Sequence, residues 1–423
     1  MQLRPHRGLR RVARGLGWAQ HRIFPGDTVA IAQQTASKGF SYTTFSAAEE
    51  ALRQEVRAFL RAELPNGSYK PCLGMSADHD ADFTTKMAKR GWVGMSVPTR
   101  YGGPARSAVD RFIVVEEMLR SGAPVGAHWV ADRQSAPTIL RFGTEEQREQ
   151  FLPPIARGEL WFSIGMSEPD AGSDLAAVRT MATRTDGGWL LNGTKIWTSN
   201  AHQNHWFIVL CRSSPNEGDR HEGLSQLLVD LHSPGLQINP IAFLDGSYHF
   251  NEVVMTDVFV PDELVLGDIG RGWSQVNSEL AYERAGPDRW LSVYSTFEQL
   301  VREKVEEGAL PASVHDVFGR ITARYWSLRN LSLSVARTID QGGAPAVEAA
   351  IVKDLGTTFE QEMISLLHDL FGEEPSLDNP SLAGRLLAAC ILTGPSFTLR
   401  GGTNEILRTV ASKGLAAWYG VNR

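Results

Sequence analysis

The chain has little cysteine and no long apolar run. Cys72, Cys211 and Cys390 are its only three cysteines in 423 residues. Their odd number, wide spacing and lack of a CxxC pair exclude a disulfide framework and a paired-cysteine metal site, and fit a reducing compartment. The run from Leu386 to Leu392 falls far short of the about 18 apolar residues a membrane-spanning helix needs, so no membrane insertion is expected. There is no GxGxxG after a strand, no GxxxxGK with a following Ser or Thr, no HExxH and no GxSxG. A Rossmann site, a P-loop, a zinc-protease helix and a nucleophile elbow therefore find no support. The cluster Asp78, His79, Asp80 and Asp82 lacks the turn glycine of a calcium loop and reads as a solvated loop, so no metal is expected.

What is present is the composition of an ordinary soluble protein: 42% hydrophobic residues, 21% charged and a mean hydropathy of -0.20. The length corresponds to roughly three domains. The net charge of -6 is unevenly spread. Residues 1 to 40 carry Arg4, Arg7, Arg10, Arg11, Arg14, Arg22 and Lys38 against Asp27, a net of +6 that leaves -12 for the rest. A basic, acid-poor head of this kind suits an upstream extension of a bacterial, cytoplasmic chain, or alternatively a mitochondrial transit peptide; Pro5, Pro25 and several glycines weaken the second reading. Nothing in the body supports a nucleic-acid partner.

Structure is expected to begin at Ser46, where Ser46 and Glu49 form a capping box followed by Leu52, Val56, Phe59 and Leu60 at helical spacing. Further helical segments are expected at 82–90, 107–121 and 145–151. From Trp161 the pattern changes to short β-rich runs. Asp186-Gly187 and Asn192-Gly193 read as hairpin turns, and strands are expected at 206–211, 227–231 and 252–260. After Gly270 the chain is helical again, over 273–286, 312–341, 346–372 and beyond Thr403. The expected organisation is a basic extension (1–44), a helical domain (45–160), a middle antiparallel β domain (161–270) and a carboxy-terminal helical domain (271–423). Segregated blocks of this kind indicate an α+β fold.

Two segments carry chemistry: Ser167-Glu168-Pro169-Asp170-Ala171-Gly172-Ser173-Asp174, and Asn192-Gly193-Thr194-Lys195-Ile196-Trp197-Thr198-Ser199-Asn200. In this order and at this separation they resemble the middle domain of the acyl-CoA dehydrogenase family. Phe142-Gly143-Thr144-Glu145-Glu146-Gln147, Phe250-Asn251-Glu252-Val253 and Arg400-Gly401-Gly402-Thr403-Asn404-Glu405 resemble further signatures of that family, and the resemblance spans about residues 45 to 423. It implies a helical amino-terminal domain, a central β domain and a carboxy-terminal helical bundle. It also implies FAD as cofactor and dehydrogenation of an acyl-CoA thioester across Cα and Cβ. By resemblance, Met166 and Ser167 meet the flavin edge, Ser173 sits near the pyrophosphate, Trp197 covers the ring and the Ser199 hydroxyl lies near N5. Thr403 and Glu405 belong to the cofactor-binding signature, and Arg284 to the substrate side.

Many family members place the catalytic carboxylate just before Gly-Thr of the terminal signature, but that position here is Gly401. Others supply it from a Glu-Arg pair on the first helix after the β domain, which matches Glu283-Arg284. Helical spacing supports this independently: Trp273, Val276, Leu280 and Glu283 share a face, and a carboxylate on an apolar stripe has its pKa raised toward that of a useful base. Glu405 is a lesser candidate. The Arg-x-x-Phe-Gly that reaches across a subunit interface to FAD is absent near 294–300, and Gly372-Glu373-Glu374 brings acids where a neutral amide normally faces pyrophosphate. The resemblance implies an electron-transferring flavoprotein as acceptor and a homo-oligomer, dimer or tetramer. The departures also admit a heterotetramer with a homologous subunit, in which this chain is a half-site or non-catalytic member. An acyl-CoA oxidase is a third reading.

Overall fold

A computed structural model describes residues 39–421 apart from 66–67, 75–77, 216–217 and 309–311, without the side chains of 278–283 and 313. Most of the basic head therefore lies outside the described residues. Among the described residues, five α-helices come first: α1 (Ala47–Glu63), α2 (Ala81–Lys89), α3 (Ala108–Arg120), α4 (Ala136–Phe142) and α5 (Glu145–Ala156). Helix α1 starts at the capping box, in which Ser46 Oγ accepts from Glu49 N–H and the Glu49 carboxylate accepts from Ser46 N–H. Thr144 and Gln147 repeat the device at α5, satisfying donors that would otherwise be orphaned. Asp80, of the acidic cluster read above as a solvated loop, caps α2 by accepting from Phe83 N–H.

The strands are β1 (Phe162–Gly165), β2 (Met181–Thr185), β3 (Gly188–Ser199), β4 (Trp206–Arg212), β5 (Leu224–Asp230), β6 (Leu236–Ile241), β7 (Phe250–Pro261) and β8 (Val265–Leu266). They form one sheet in the order β6-β7-β3-β2-β4-β5-β8, antiparallel except that β1 joins β4 in parallel and β2 meets β4 at a single parallel pair. Asp186-Gly187 is the expected hairpin turn between β2 and β3. Asn192-Gly193 is not a turn. It lies inside β3 at a register shift opposite β7, where Asn192 Oδ1 accepts from Asp257 N–H and its Nδ2 donates to the Asp257 carboxylate. The dipeptide that permits a hairpin is used here for a bulge, because tertiary pairing with β7 continues through it.

Six α-helices follow among the described residues: α6 (Gly272–Glu283), α7 (Tyr294–Glu307), α8 (Ala312–Asp340), α9 (Ala346–Phe371), α10 (Leu382–Thr393) and α11 (Asn404–Trp418). Sequence spacing misses α7 and α10 as separate helices. The two helical blocks, far apart in sequence, share one core that brings Leu52, Val56 and Met118 together with Leu291, Phe359 and Leu386. The Arg329–Glu116 and Arg337–Glu49 ion pairs tie α8 to the amino-terminal helices. Residues 39–44 run against this bundle, with Gly39 N–H donating to Glu348 and Ser41 N–H to Ser334 Oγ. The sheet has a core of its own around Leu191, Phe207, Leu227 and Val258. Two bridging clusters attach helices to it: Phe151 and Ile155 of α5 pack on Phe162 and Ile208, and Val276 and Trp273 of α6 pack beside Ala171, Leu210 and Leu224. Among the described residues no helix is long and apolar enough to cross a membrane.

Candidate active site

The Ser-Glu-Pro turn is fixed to β3 by a buried ion pair. Lys195 is fully buried, and its Nζ donates to Glu168 Oε1 at 2.8 Å and to the Met166 carbonyl at 3.0 Å. Glu168 also accepts from Arg179 N–H and Thr180 N–H, and Ile196 N–H donates to the Ser167 carbonyl. Burial alone would raise the Glu168 carboxyl, but Lys195 and these amides outweigh it and hold it below its ordinary value. Met166 and Ser167 are thereby held beside the strand that carries Trp197 and Ser199.

Trp197 has φ of +57°, unusual for a bulky residue, and sits in a second register shift between β3 and β7. The residue is 50% exposed, and its ring meets Phe250 edge-on at 5.9 Å between centroids. A core tryptophan would be covered. A strained backbone that turns a large aromatic outward is a feature concentrated at functional sites. Asn200, three residues on, also has positive φ. Ser199 is half-buried, its carbonyl accepting from Ser163 Oγ at 2.7 Å. Ser173 is exposed in the turn, where neighbouring Asp174 pairs with Arg220.

The second part of the site is where the end of α6 meets the Arg400–Thr403 loop. The backbone of Glu283 closes α6, while its side chain lies outside the described residues. A Cβ placed on Gly402 would stand 3.7 Å from Arg284 Nη2, and one on Gly401 would stand 2.8 Å from Arg289 Nη2. The two places from which a base could be supplied, the loop and the helix end, are therefore adjacent. At the loop the space a side chain would occupy is filled by the Arg289 guanidinium. Lys353 of α9 pins the loop, donating from Nζ to the carbonyls of Thr398 and Gly402 and to Asn404 Oδ1. Arg400 donates to Ser292 Oγ, the Asp288 carbonyl and the Glu360 carboxylate. Thr403 caps α11, and Glu405 is exposed in its first turn, its carboxyl lowered by the backbone amide there.

Beside this corner, between α3, α8 and the segments 128–133 and 285–288, lies a cavity of about 100 Å³. Met118, Val335 and Ile339 form an apolar wall, and Asp132, Arg133 and Asp288 a polar one. The segment Ala285–Asp288 follows directly on Glu283-Arg284, so the cavity opens off the end of α6. The structure thus groups Met166, Ser167, Trp197 and Ser199 on the sheet, and Arg284 with the loop before Thr403 on the helical bundle. Lys353, Arg289 and the cavity residues escape the sequence reading. The one local signal is that Lys353, Thr357 and Glu360 fall on a single face of α9 among apolar residues, which marks charges destined for burial.

Models of the acyl-CoA dehydrogenase N-terminal, middle and C-terminal domains match residues 46–159, 163–258 and 270–416. Acyl-CoA dehydrogenase IpdE1 of Mycobacterium tuberculosis is 32% identical over 86% of this chain and 96% of its own length. Acyl-CoA dehydrogenase FadE34 of the same organism is 34% identical over 78% of this chain, but the match spans only 45% of that longer protein. Among solved structures, the Tcur3481-Tcur3483 steroid ACAD matches with a TM-score of 0.78 and 27% identity over 90% of this chain and 99% of that one. A chain of the ChsE4-ChsE5 complex from Mycobacterium tuberculosis matches with a TM-score of 0.73 and 29% identity over 90% and 99%.

Proposed function

The chain belongs to the acyl-CoA dehydrogenase family, and from that premise we propose that it oxidises an acyl-CoA thioester across Cα and Cβ with Glu283 as the base. The observation that carries this reading is the corner where α6 meets the Gly401-Gly402 loop. The end of α6 lies beside the loop, because Arg284, the next residue, comes within 3.7 Å of a Cβ placed on Gly402, and a side chain at Gly401 would meet Arg289. Glu283 accepts the α proton there, a role that suits a carboxylate withdrawn from water, which is a stronger base than one in solution.

FAD fits the sheet side of the site. Trp197 offers an exposed flat ring, and Met166, Ser167 and Ser199 offer backbone and hydroxyl groups small enough to meet a ring edge. Ser173, Thr403 and Glu405 are assigned to the remainder of the cofactor. When bound, FAD supplies the hydride acceptor for Cβ. The chain's own part is to hold the acyl group in the cavity off α6, exclude water through the apolar wall and take the proton. Arg284, against Gly402, is assigned to the thioester side.

Electrons then pass to an electron-transferring flavoprotein. The exposed Glu373 and Glu374 place negative charge where the resemblance calls for a neutral amide, which supports a second reading, a heteromer in which a homologous subunit completes FAD binding. The similar solved structures named as Tcur3481-Tcur3483 and ChsE4-ChsE5 support it further. The protein purified from its own source, scanned in the visible range and mixed anaerobically with acyl-CoA thioesters, should be yellow and should bleach. A colourless chain that gains no activity from added FAD sinks the homomeric form, and a homologous subunit co-purifying in equal amount establishes the heteromer.

A further inference from the structure

Helix α3 also borders a second cavity, through Glu117, Arg120 and Ser121 rather than through Phe112 and Met118. It lies where α3 and the later turns of α1 meet α7, and measures about 560 Å³, a size suited to a small organic ligand. Part of its lining is apolar, from Leu60, Leu64, Pro65, Pro71 and Leu382. Its charged lining is four arginines, Arg57, Arg61, Arg120 and Arg302, against Glu117 and Glu298. A net of +2 thus gathers in one cleft of a body that carries -12 after residue 40.

The two carboxylates do not use up these donors. Buried Glu117 accepts from Arg53 Nε at 2.7 Å and from Arg57 Nε at 2.8 Å. That is the one hydrogen bond Arg57 makes among the described residues, so its two Nη groups meet no acceptor there, and neither is sealed from solvent. Arg120 is occupied, donating to Tyr294 Oη at 3.0 Å and to Glu298 at 3.5 Å. Arg61 and Arg302 are exposed and make no hydrogen bond or ion pair among the described residues. Arg61 and Arg120 stand in the last turns of α1 and α3, where a cation offsets the helix dipole. Arg57 and Arg302 stand more than a turn inside α1 and α7, so no helix end accounts for their free N–H groups. Guanidinium groups match phosphate oxygens, and a cleft with an excess of one charge gathers ions of the other.

We propose that this cavity binds an organic phosphate: its phosphate oxygens accept from Arg57 and Arg302, and its carbon body covers the apolar lining at Leu60, Leu64 and Pro71. The proposed dehydrogenation does not use this cavity, so the site stands or falls independently of that reaction.

The test titrates ADP and inorganic pyrophosphate by calorimetry into the full chain as purified, in wild-type, Arg57→Gln and Arg302→Gln forms. ADP is expected to bind saturably and more tightly than pyrophosphate, and each substitution is expected to weaken it about tenfold, the worth of one hydrogen bond to a charged group. Arg57→Gln takes a partner from Glu117 and lowers stability; Arg302→Gln breaks no contact, so the decision falls on it. Equal ADP binding by wild type and Arg302→Gln overturns the proposal, as does ADP bound no more tightly than pyrophosphate, or no saturable binding of either. Coenzyme A added to the ADP-loaded chain separates two sources of such a phosphate. Displacement of the ADP whose binding depends on Arg302 assigns the cavity to the nucleotide end of a CoA thioester, and its retention assigns the cavity to a free nucleotide.

Discussion

Position 401 shows how one residue's surroundings restrict where the chemistry can sit. Gly401 has φ of +67°, and any side chain there meets the Arg289 guanidinium at 2.8 Å. Gly401→Ala should therefore cost about 1–3 kcal/mol of stability, read as a lower denaturation midpoint. Pairing Gly401→Glu with Glu283→Gln should not restore turnover; recovery of activity would show that the loop can still hold the base. A second residue-scale prediction concerns His128, buried in the cavity wall 2.9 Å from Thr84 Oγ1. Burial drives its pKa down from 6.5 to about 4. Above about pH 6.5 it is neutral in both folded and unfolded chains. As pH falls from there to about 4 only the unfolded chain takes the proton, so the folded state loses about 3 kcal/mol, and below that the loss levels off. Denaturant titrations should show this slope, and His128→Asn should flatten it. At this scale the sequence singles out residues that sit inside a motif, as with Trp197, whose ring the structure leaves half exposed. It was silent on Lys353, whose partners lie 45 to 51 residues away.

At the scale of elements, the site depends on β3 bending twice. The bulges at 191–193 and 195–198 rotate successive side chains, so that Lys195 faces inward to Glu168 while Trp197 faces out. Breaking the inward half should release the outward half. Lys195→Met leaves the Glu168 carboxylate buried without its cation, at a cost of about 3–5 kcal/mol. The expected result is a lower Tm together with loss of bound FAD, and retained FAD at wild-type stoichiometry would contradict the coupling. The start of α1 was legible because capping residues act locally: Ser46 with Glu49 marks it in sequence as in structure. The role of Asn192-Gly193 was not, because the same dipeptide serves a turn or a bulge and the choice belongs to β7 and Asp257. Helices α7 and α10 escaped for a similar reason, their buried faces being completed by partners distant in sequence.

Over the whole molecule, the order helical, β, helical suggests three consecutive blocks, but the two helical blocks make a single core. A fragment ending at residue 270 would expose the α1–α3 side of that core. It should show no cooperative thermal transition by circular dichroism, whereas a sharply melting fragment would contradict the shared core. The fusion also explains the location of the site. The sheet presents Trp197, the bundle presents the end of α6, and α6 itself packs beside Ala171 of the Ser-Glu-Pro turn. The central claim is that Glu283 takes the α proton from this position. It is tested most directly by anaerobic mixing of acyl-CoA with wild-type enzyme and with Glu283→Gln at matched FAD content. The account predicts rapid bleaching of the wild type and none by the variant, while bleaching of Glu283→Gln at the wild-type rate would remove Glu283 from the role.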